Sequence, residues 1–237
     1  MNVTDQLIEE LKSYADPEKA AFLPKFFQAF PGGYGEGDTF LGVTVPDQRR
    51  IAKNYYKLVV LTEIEKLLRQ PVHEYRLTAL FLLVYKYEKL TFEPEKKEIV
   101  DLYLRNTGYV NNWDLVDSSA YKILGPYLFD KSRDILYELA SKGHIWEQRI
   151  AVISTYYFIR QNDFNDTLQI AAMLLKHRHD LIHKAVGWML REVGNRDFDA
   201  ELKFLKEHYK DMPRTMLRYA IEKFSPELRQ KFLKGEI

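Results

Sequence analysis

The sequence predicts an all-α fold, and three observations support this prediction. Apolar residues recur at the 3.6-residue spacing of a helix in almost every segment. No segment carries the strict alternation that is typical of a half-buried strand. Proline, glycine and asparagine separate the periodic segments, which limits the helices to about 10–16 residues joined by short turns.

The periodic segments predict where the main helices lie. In chain order they cover residues 73–88, 148–159, 167–175 and 182–193, and a further helix is expected to begin at Trp113. Helix breakers are expected to separate these helices. They are Pro71, Pro94, Gly108, Pro126, Gly143, Asn162, Gly194, Asn195, Pro213 and Pro226.

A polar residue recurs in the first turn of five of the more apolar helices, at intervals of about 32–41 residues. This recurrence is typical of an α-solenoid of HEAT- or armadillo-like helix pairs, in which one helix of each pair lines a concave binding face. We therefore expect one repeat domain over residues 1–237. The recurring polar residues form a row that consists of Arg76, Asp117, Arg149, Lys184 and Arg218. This row either faces a ligand or only occupies the first turns of amphipathic helices.

Composition excludes several classes of protein. The chain has 237 residues, of which 46% are hydrophobic, so it is expected to be globular. It has no cysteine, which excludes disulfides and thiolate metal sites. Its N-terminus lacks the pattern of a signal peptide, and no apolar run reaches the roughly 18 residues of a membrane span. We expect a soluble, cytoplasmic protein, no membrane partner and a monomer.

The net charge of +1 argues only weakly against a polyanionic partner, because binding depends on where the cations lie. The only glycine-rich loop, residues 30–38, lacks the Lys-Ser/Thr ending of a P-loop, and its Glu36 and Asp38 would repel phosphates. We interpret this loop as a connector that orders on packing or on ligand binding.

The segment from Asn111 to Asp117 is the most informative in the chain. Trp113 and Asp117 are four residues apart at the start of the expected helix, which puts the indole and the carboxylate on one face. The alternative is a core tryptophan and a capping aspartate. The two asparagines at 111 and 112 could already supply the cap, and a carboxylate inside the helix needs a partner or a purpose. An aromatic face beside a carboxylate can stabilise a cationic centre.

A second tryptophan, Trp188, is flanked by Lys184 and Arg191, and Gly187 before it would let another group approach the helix closely. The alternative is a tryptophan packed between helices. Arg149 shares its repeat position with Asp117 and is expected to face the same groove.

A histidine cluster offers a different interpretation. His179 and His183 have the spacing of zinc ligands on a helix, with His177 and Asp180 nearby. No third inward ligand is evident, so we expect no metal and no cofactor. A metal-dependent hydrolase at this cluster stays open as an alternative.

These residues give the chain a family resemblance. It resembles the AlkD-type DNA alkylation repair glycosylases, which are built of HEAT-like repeats, over nearly its whole length. The most specific parts are residues 113–118, 145–149 and 184–192, and residues 40–46 with Arg49 also match. Residues 32–38 and Thr44-Val45 depart from the family pattern, which affects the expected N-terminal DNA contacts.

The resemblance implies an activity and a set of site residues. The family excises N3- and N7-alkylated purines from double-stranded DNA by hydrolysing the N-glycosidic bond. The resemblance gives Asp117 the catalytic role and puts Trp113 and Trp188 beside the lesion. The main alternative is a non-catalytic scaffold that binds DNA structures or protein through the concave face. The expected DNA-binding residues are Arg149, Lys184, Arg191, Arg76, Arg218, Thr44 and Arg49.

Overall fold

The computed structural model describes residues 2–237, and of Lys142 it describes the backbone alone. Every regular element in this part of the chain is a helix. An isolated bridge between Thr39 and Val72 is the only β pairing among these residues. The predicted all-α class is confirmed. The chain divides into two units, residues 1–123 and 124–237.

The first unit is organised around one long buried helix. Every residue from His73 to Val84 in this helix is buried, so only tertiary packing and not amphipathicity sets its position. The neighbouring helices α3 and α4 both pack on it. The helices are α1 (Val3–Ser13), α2 (Pro17–Phe26), α3 (Val45–Tyr55), α4 (Leu61–Leu68), α5 (His73–Lys89), α6 (Glu93–Arg105) and α7 (Trp113–Leu128), the last crossing the unit boundary.

Helix α2 differs from the others because none of its residues is buried. Its local sequence explains why it is nevertheless helical. The carboxylate of Asp16 accepts hydrogen bonds from the amides of Glu18 and Lys19, both at 3.1 Å, and Pro17 occupies the first turn.

The second unit is centred on helix α12, which packs against α9, α13 and α14. Its helices are α8 (Asp134–Lys142), α9 (Ile145–Ser154), α10 (Tyr156–Arg160), α11 (Asn165–Leu174), α12 (Asp180–Gly194), α13 (Phe198–His208), α14 (Arg214–Ala220) and α15 (Pro226–Lys234).

The close approach predicted at Gly187 is made by helix α14. A Cβ atom added at Gly187 would lie 2.5 Å from the carbonyl oxygen of Met216 and 2.6 Å from Cβ of Tyr219. The missing side chain therefore lets two helices of the same unit touch, and is not needed to admit a ligand.

The breaker predicted at Pro126 is wrong, because α7 continues through it to Leu128. Ile123, Leu124 and Leu128 of this helix are buried, and such packing outweighs the loss of one backbone donor. Among the described residues, none of the helices is both long and apolar enough to cross a membrane.

Candidate functional site

A cavity of about 550 Å³ lies in the first unit beside the start of helix α7. Side chains from α2, α3, α5 and α7, together with the segment 42–44, line it. Four of the residues singled out from the sequence meet at this cavity. They are Trp113, Asp117, Thr44 and Arg49.

Trp113 and Asp117 lie on one face of α7, as their spacing predicts. The helix begins at Trp113, whose amide donates to Oδ1 of the buried Asn112 at 2.9 Å. The indole is in contact with two phenyl rings, Phe27 at 5.5 Å and Phe26 at 5.9 Å between centroids. The tryptophan is therefore held by aromatic packing while one part of it still lines the cavity.

The carboxylate of Asp117 is half-buried. Its charge also acts on the buried hydroxyl of Tyr103. Burial raises the pKa of Tyr103 and the negative charge of Asp117 raises it further, while the hydrogen bond between the Tyr103 and Ser119 hydroxyls lowers it. A carboxylate in this position is partly shielded from water, which strengthens its interaction with any cation that enters the cavity.

Thr44 and Arg49 also line the cavity. Thr44 caps helix α3, and its hydroxyl donates to the carboxylate of Asp47 at 2.5 Å. The guanidinium of Arg49 lies 4.1 Å from the centroid of the Phe81 ring, a cation–π contact that orients it. Arg49 thus supplies positive charge to the same cavity as Asp117.

A buried network of charged side chains adjoins this site, and the sequence analysis did not predict it. The imidazole of His73 is held between two carboxylates, with Nδ1 2.9 Å from Asp38 and Nε2 2.8 Å from Asp114. The ring also stacks on Phe27 and Phe40, at 4.6 and 5.2 Å. Burial alone would lower the pKa of His73, but the carboxylates of Asp114 and Asp38 outweigh it and raise the pKa to about 9.

The prediction that Arg76 binds DNA is wrong. Its side chain is only 4% exposed and is ion-paired with Asp38, while its Nη1 donates to Asn111. The glycine-rich loop supplies Asp38, so this carboxylate neutralises internal cations and does not face an incoming phosphate.

The lesion-side tryptophan Trp188 and two of the predicted DNA contacts follow one stripe of α12. Lys184, Trp188 and Arg191 are half-buried at helical spacing. The indole Nε1 of Trp188 donates to Glu192 at 3.0 Å, and its ring lies 5.9 Å from Tyr156. Lys184 is ion-paired with Asp180 at 2.7 Å, and Arg191 is paired with Glu222.

Arg149 does not reach a groove as expected. It is 5% exposed, and its guanidinium donates to the carbonyl oxygen of Leu181 in the first turn of α12. Trp146 beside it is buried, in agreement with a core role. Of the predicted cations in this unit, Arg218 is the exposed one.

The histidine cluster forms helix caps. Nδ1 of His177 accepts from the amide of His179, and Nδ1 of His179 accepts from the amide of Leu181 at the start of α12. The ring of His183 hydrogen bonds to the carbonyl oxygen of His177. Burial lowers the pKa of both His177 and His179.

This geometry, an all-α chain with a shielded carboxylate beside an indole and an arginine, agrees with the comparisons to known proteins. A family model described as DNA alkylation repair enzyme matches residues 7–224. The chain belongs to this DNA alkylation repair family, and membership implies that DNA is its partner. No curated protein matches the chain.

Two solved structures share the fold. One, described as a predicted DNA alkylation repair enzyme from Enterococcus faecalis, has a TM-score of 0.68 at 17% identity, covering 90% of this chain and 97% of that one. The other, AlkD2 from Streptococcus mutans, has a TM-score of 0.56 at 19% identity, covering 88% and 98%. At these identities the similarity shows the fold alone.

Proposed function

We propose that this protein is a DNA glycosylase that hydrolyses the N-glycosidic bond of cationic N3- or N7-alkylated purines in double-stranded DNA. The observation that carries the proposal is the cavity shared by Asp117, Trp113 and Arg49. It combines a half-buried carboxylate, an aromatic face and a cation in a chain of the DNA alkylation repair family.

The chemistry follows from the charge of the lesion. An alkylated purine is already positive, so it can leave with the bonding electrons as a neutral base, and no general acid is required. The sugar then passes through an oxocarbenium-like state, as in glycoside hydrolysis. Asp117 stabilises this cation and accepts a proton from the water that adds to the sugar carbon.

The surrounding residues have supporting roles in this proposal. The indole of Trp113 packs on the deoxyribose and excludes water, and a cation–π contact of this kind is worth about 0.5–2 kcal/mol. Arg49 holds a phosphate of the damaged strand. Lys184, Trp188, Arg191 and Arg218 of the second unit are proposed as further DNA contacts.

Asp117→Asn tests the catalytic role. The change keeps the shape of the side chain but removes its charge, so release of 7-methylguanine from alkylated DNA should fall by at least about a hundredfold while DNA affinity stays nearly constant. Asp101→Asn is the matched control, because Asp101 is an exposed carboxylate on α6 that pairs with Lys97. Near-normal excision by Asp117→Asn would refute the catalytic assignment of Asp117, whereas no excision by the parent chain would favour a non-catalytic DNA-binding scaffold.

Substrate charge provides a second test. The leaving-group argument requires a cationic base, so uracil in duplex DNA should be a poor substrate. Efficient uracil release would contradict the mechanism even if Asp117 proved essential.

A further inference from the structure

Helix α2 exposes a stripe of side chains beside the cavity. Lys19, Phe22 and Phe26 recur at the spacing of one helical face, and all three line the cavity that contains Asp117. The two phenylalanines are 60% and 50% exposed. Because no residue of α2 is fully buried, packing within the chain accounts for only part of the surface of these rings.

The aromatic rings are continuous with the candidate site. Phe22 lies 6.0 Å from Phe26, and Phe26 meets the edge of Trp113 at 5.9 Å. The three rings therefore form one aromatic shelf that runs from the outer part of α2 to the first residue of α7. Asp117 stands one helical turn beyond the inner end of this shelf.

Cationic side chains near the aromatic shelf favour a polyanionic partner. Lys19 lies one turn before Phe22, and its ammonium is paired with the half-buried carboxylate of Asp16 at 2.9 Å. Such surface pairs contribute little stability and can be exchanged for a phosphate. Arg49 supplies a second cation to the lining of the same cavity.

We infer that Phe22 and Phe26 form a DNA-contacting shelf, on which the deoxyribose and base edges of nucleotides flanking the reacting sugar pack, with Lys19 holding an adjacent phosphate. The occupant is duplex DNA, because the apolar stripe continues into the site and two cations, Lys19 and Arg49, line the same cavity. Apolar side chains that pack on or between base steps are an established means of holding a deformed duplex. The inference rests on the proposed function for the identity of the reacting sugar.

The test compares two variants of the full chain. Phe22→Ala/Phe26→Ala removes both rings, and Phe92→Ala removes a ring that is 61% exposed but does not line the cavity. Affinity is measured by fluorescence anisotropy for a duplex containing a stable abasic-site analogue, across a range of salt concentrations. Circular dichroism melting checks that both variants fold.

The double variant should bind about tenfold or more weakly, with an unchanged dependence of affinity on salt, because the lost contact is apolar. Phe92→Ala should stay within about twofold of the parent. Lys19→Ala should instead reduce the salt slope by about one phosphate contact. Equal affinities for the double variant and the parent, or a loss no larger than that of Phe92→Ala, would overturn the inference.

The readouts separate this inference from the proposed function. Affinity for a non-cleavable duplex does not depend on catalysis, so it reports on the shelf even if Asp117→Asn retains activity. Loss of excision in Asp117→Asn together with unchanged binding by the double variant would leave the glycosylase proposal intact and remove the shelf.

Discussion

Nε2 of His73 lies 2.8 Å from Oδ2 of Asp114, the residue that follows Trp113 in the first turn of helix α7. This ion pair joins the beginning of α5 to the beginning of α7. Since both side chains line the candidate cavity, the imidazolium helps to fix the helix that contains Trp113 and Asp117.

The first prediction concerns the pH dependence of stability. The pKa of His73 is raised from 6.5 to about 9, so its contribution is complete below pH 6.5 and is lost as pH rises through 9. The free energy of unfolding should fall by about 3 kcal/mol across this interval. Urea unfolding at several pH values measures it. The His73→Gln variant should lose most of this dependence of the free energy of unfolding on pH. If its stability depended on pH as steeply as that of the parent, the ion-pair assignment would be contradicted.

A second prediction concerns Glu201, a buried carboxyl in the second unit. Burial raises its pKa from 4.5 to about 8, against the opposing charge of Arg191. The folded chain therefore keeps this proton until the pH approaches 8, whereas the unfolded chain releases it near 4.5, so the stability that the proton confers is complete below pH 4.5 and is lost as pH rises to 8. Glu201→Gln stays neutral, so it should gain stability relative to the parent as pH rises from 4.5 to 8. Thermal melts measure the stability difference between Glu201→Gln and the parent, and a difference that stays constant from pH 4.5 to 8 would contradict the raised pKa of Glu201.

A third prediction concerns the contact between α12 and α14. Gly187→Ala forces a methyl group to within 2.5 Å of the Met216 carbonyl oxygen, and such overpacking costs about 1–3 kcal/mol. Gly108→Ala is the control, since a Cβ there meets no atom within 4 Å. Chemical denaturation of both variants gives the comparison. Equal stability of the two would mean that the helices separate at little cost.

A fourth prediction distinguishes two arginines of the second unit. Arg149→Ala removes the donor to the Leu181 carbonyl oxygen and should cost about 1–3 kcal/mol of stability. Arg218→Ala removes an exposed cation and should change stability by less than about 0.5 kcal/mol. Only Arg218→Ala should flatten the salt dependence of DNA binding. A flattened slope in Arg149→Ala with unchanged stability would restore Arg149 as a phosphate ligand.

Sequence analysis predicted the features that depend on local spacing. The helical face shared by Trp113 and Asp117 follows from a separation of four residues, and the beginning of α7 follows from the capping asparagine before it. Phe22 and Phe26 were missed although they have the same spacing, because exposure of a helical face depends on which neighbours pack on it.

Features that depend on distant parts of the chain were not predictable in this way. Asp38 was interpreted as a carboxylate that repels phosphates, but it pairs with His73 and Arg76, which are 35 or more residues away in sequence. The polar row that included Arg76 and Arg149 recurred at the period of a helix-pair repeat, yet both guanidinium groups are buried. Periodicity identifies a shared face and gives no information on whether solvent reaches it.

The absence of buried residues in α2 has a kinetic consequence. Because none of its residues is fully buried, α2 withdraws little apolar surface from water, so its opening costs little free energy and its amide protons should exchange with solvent before those of α5. A segment of this kind can change its backbone geometry while the rest of its unit stays folded. It could therefore adapt to an irregular surface within microseconds, a time in which α5 would not open.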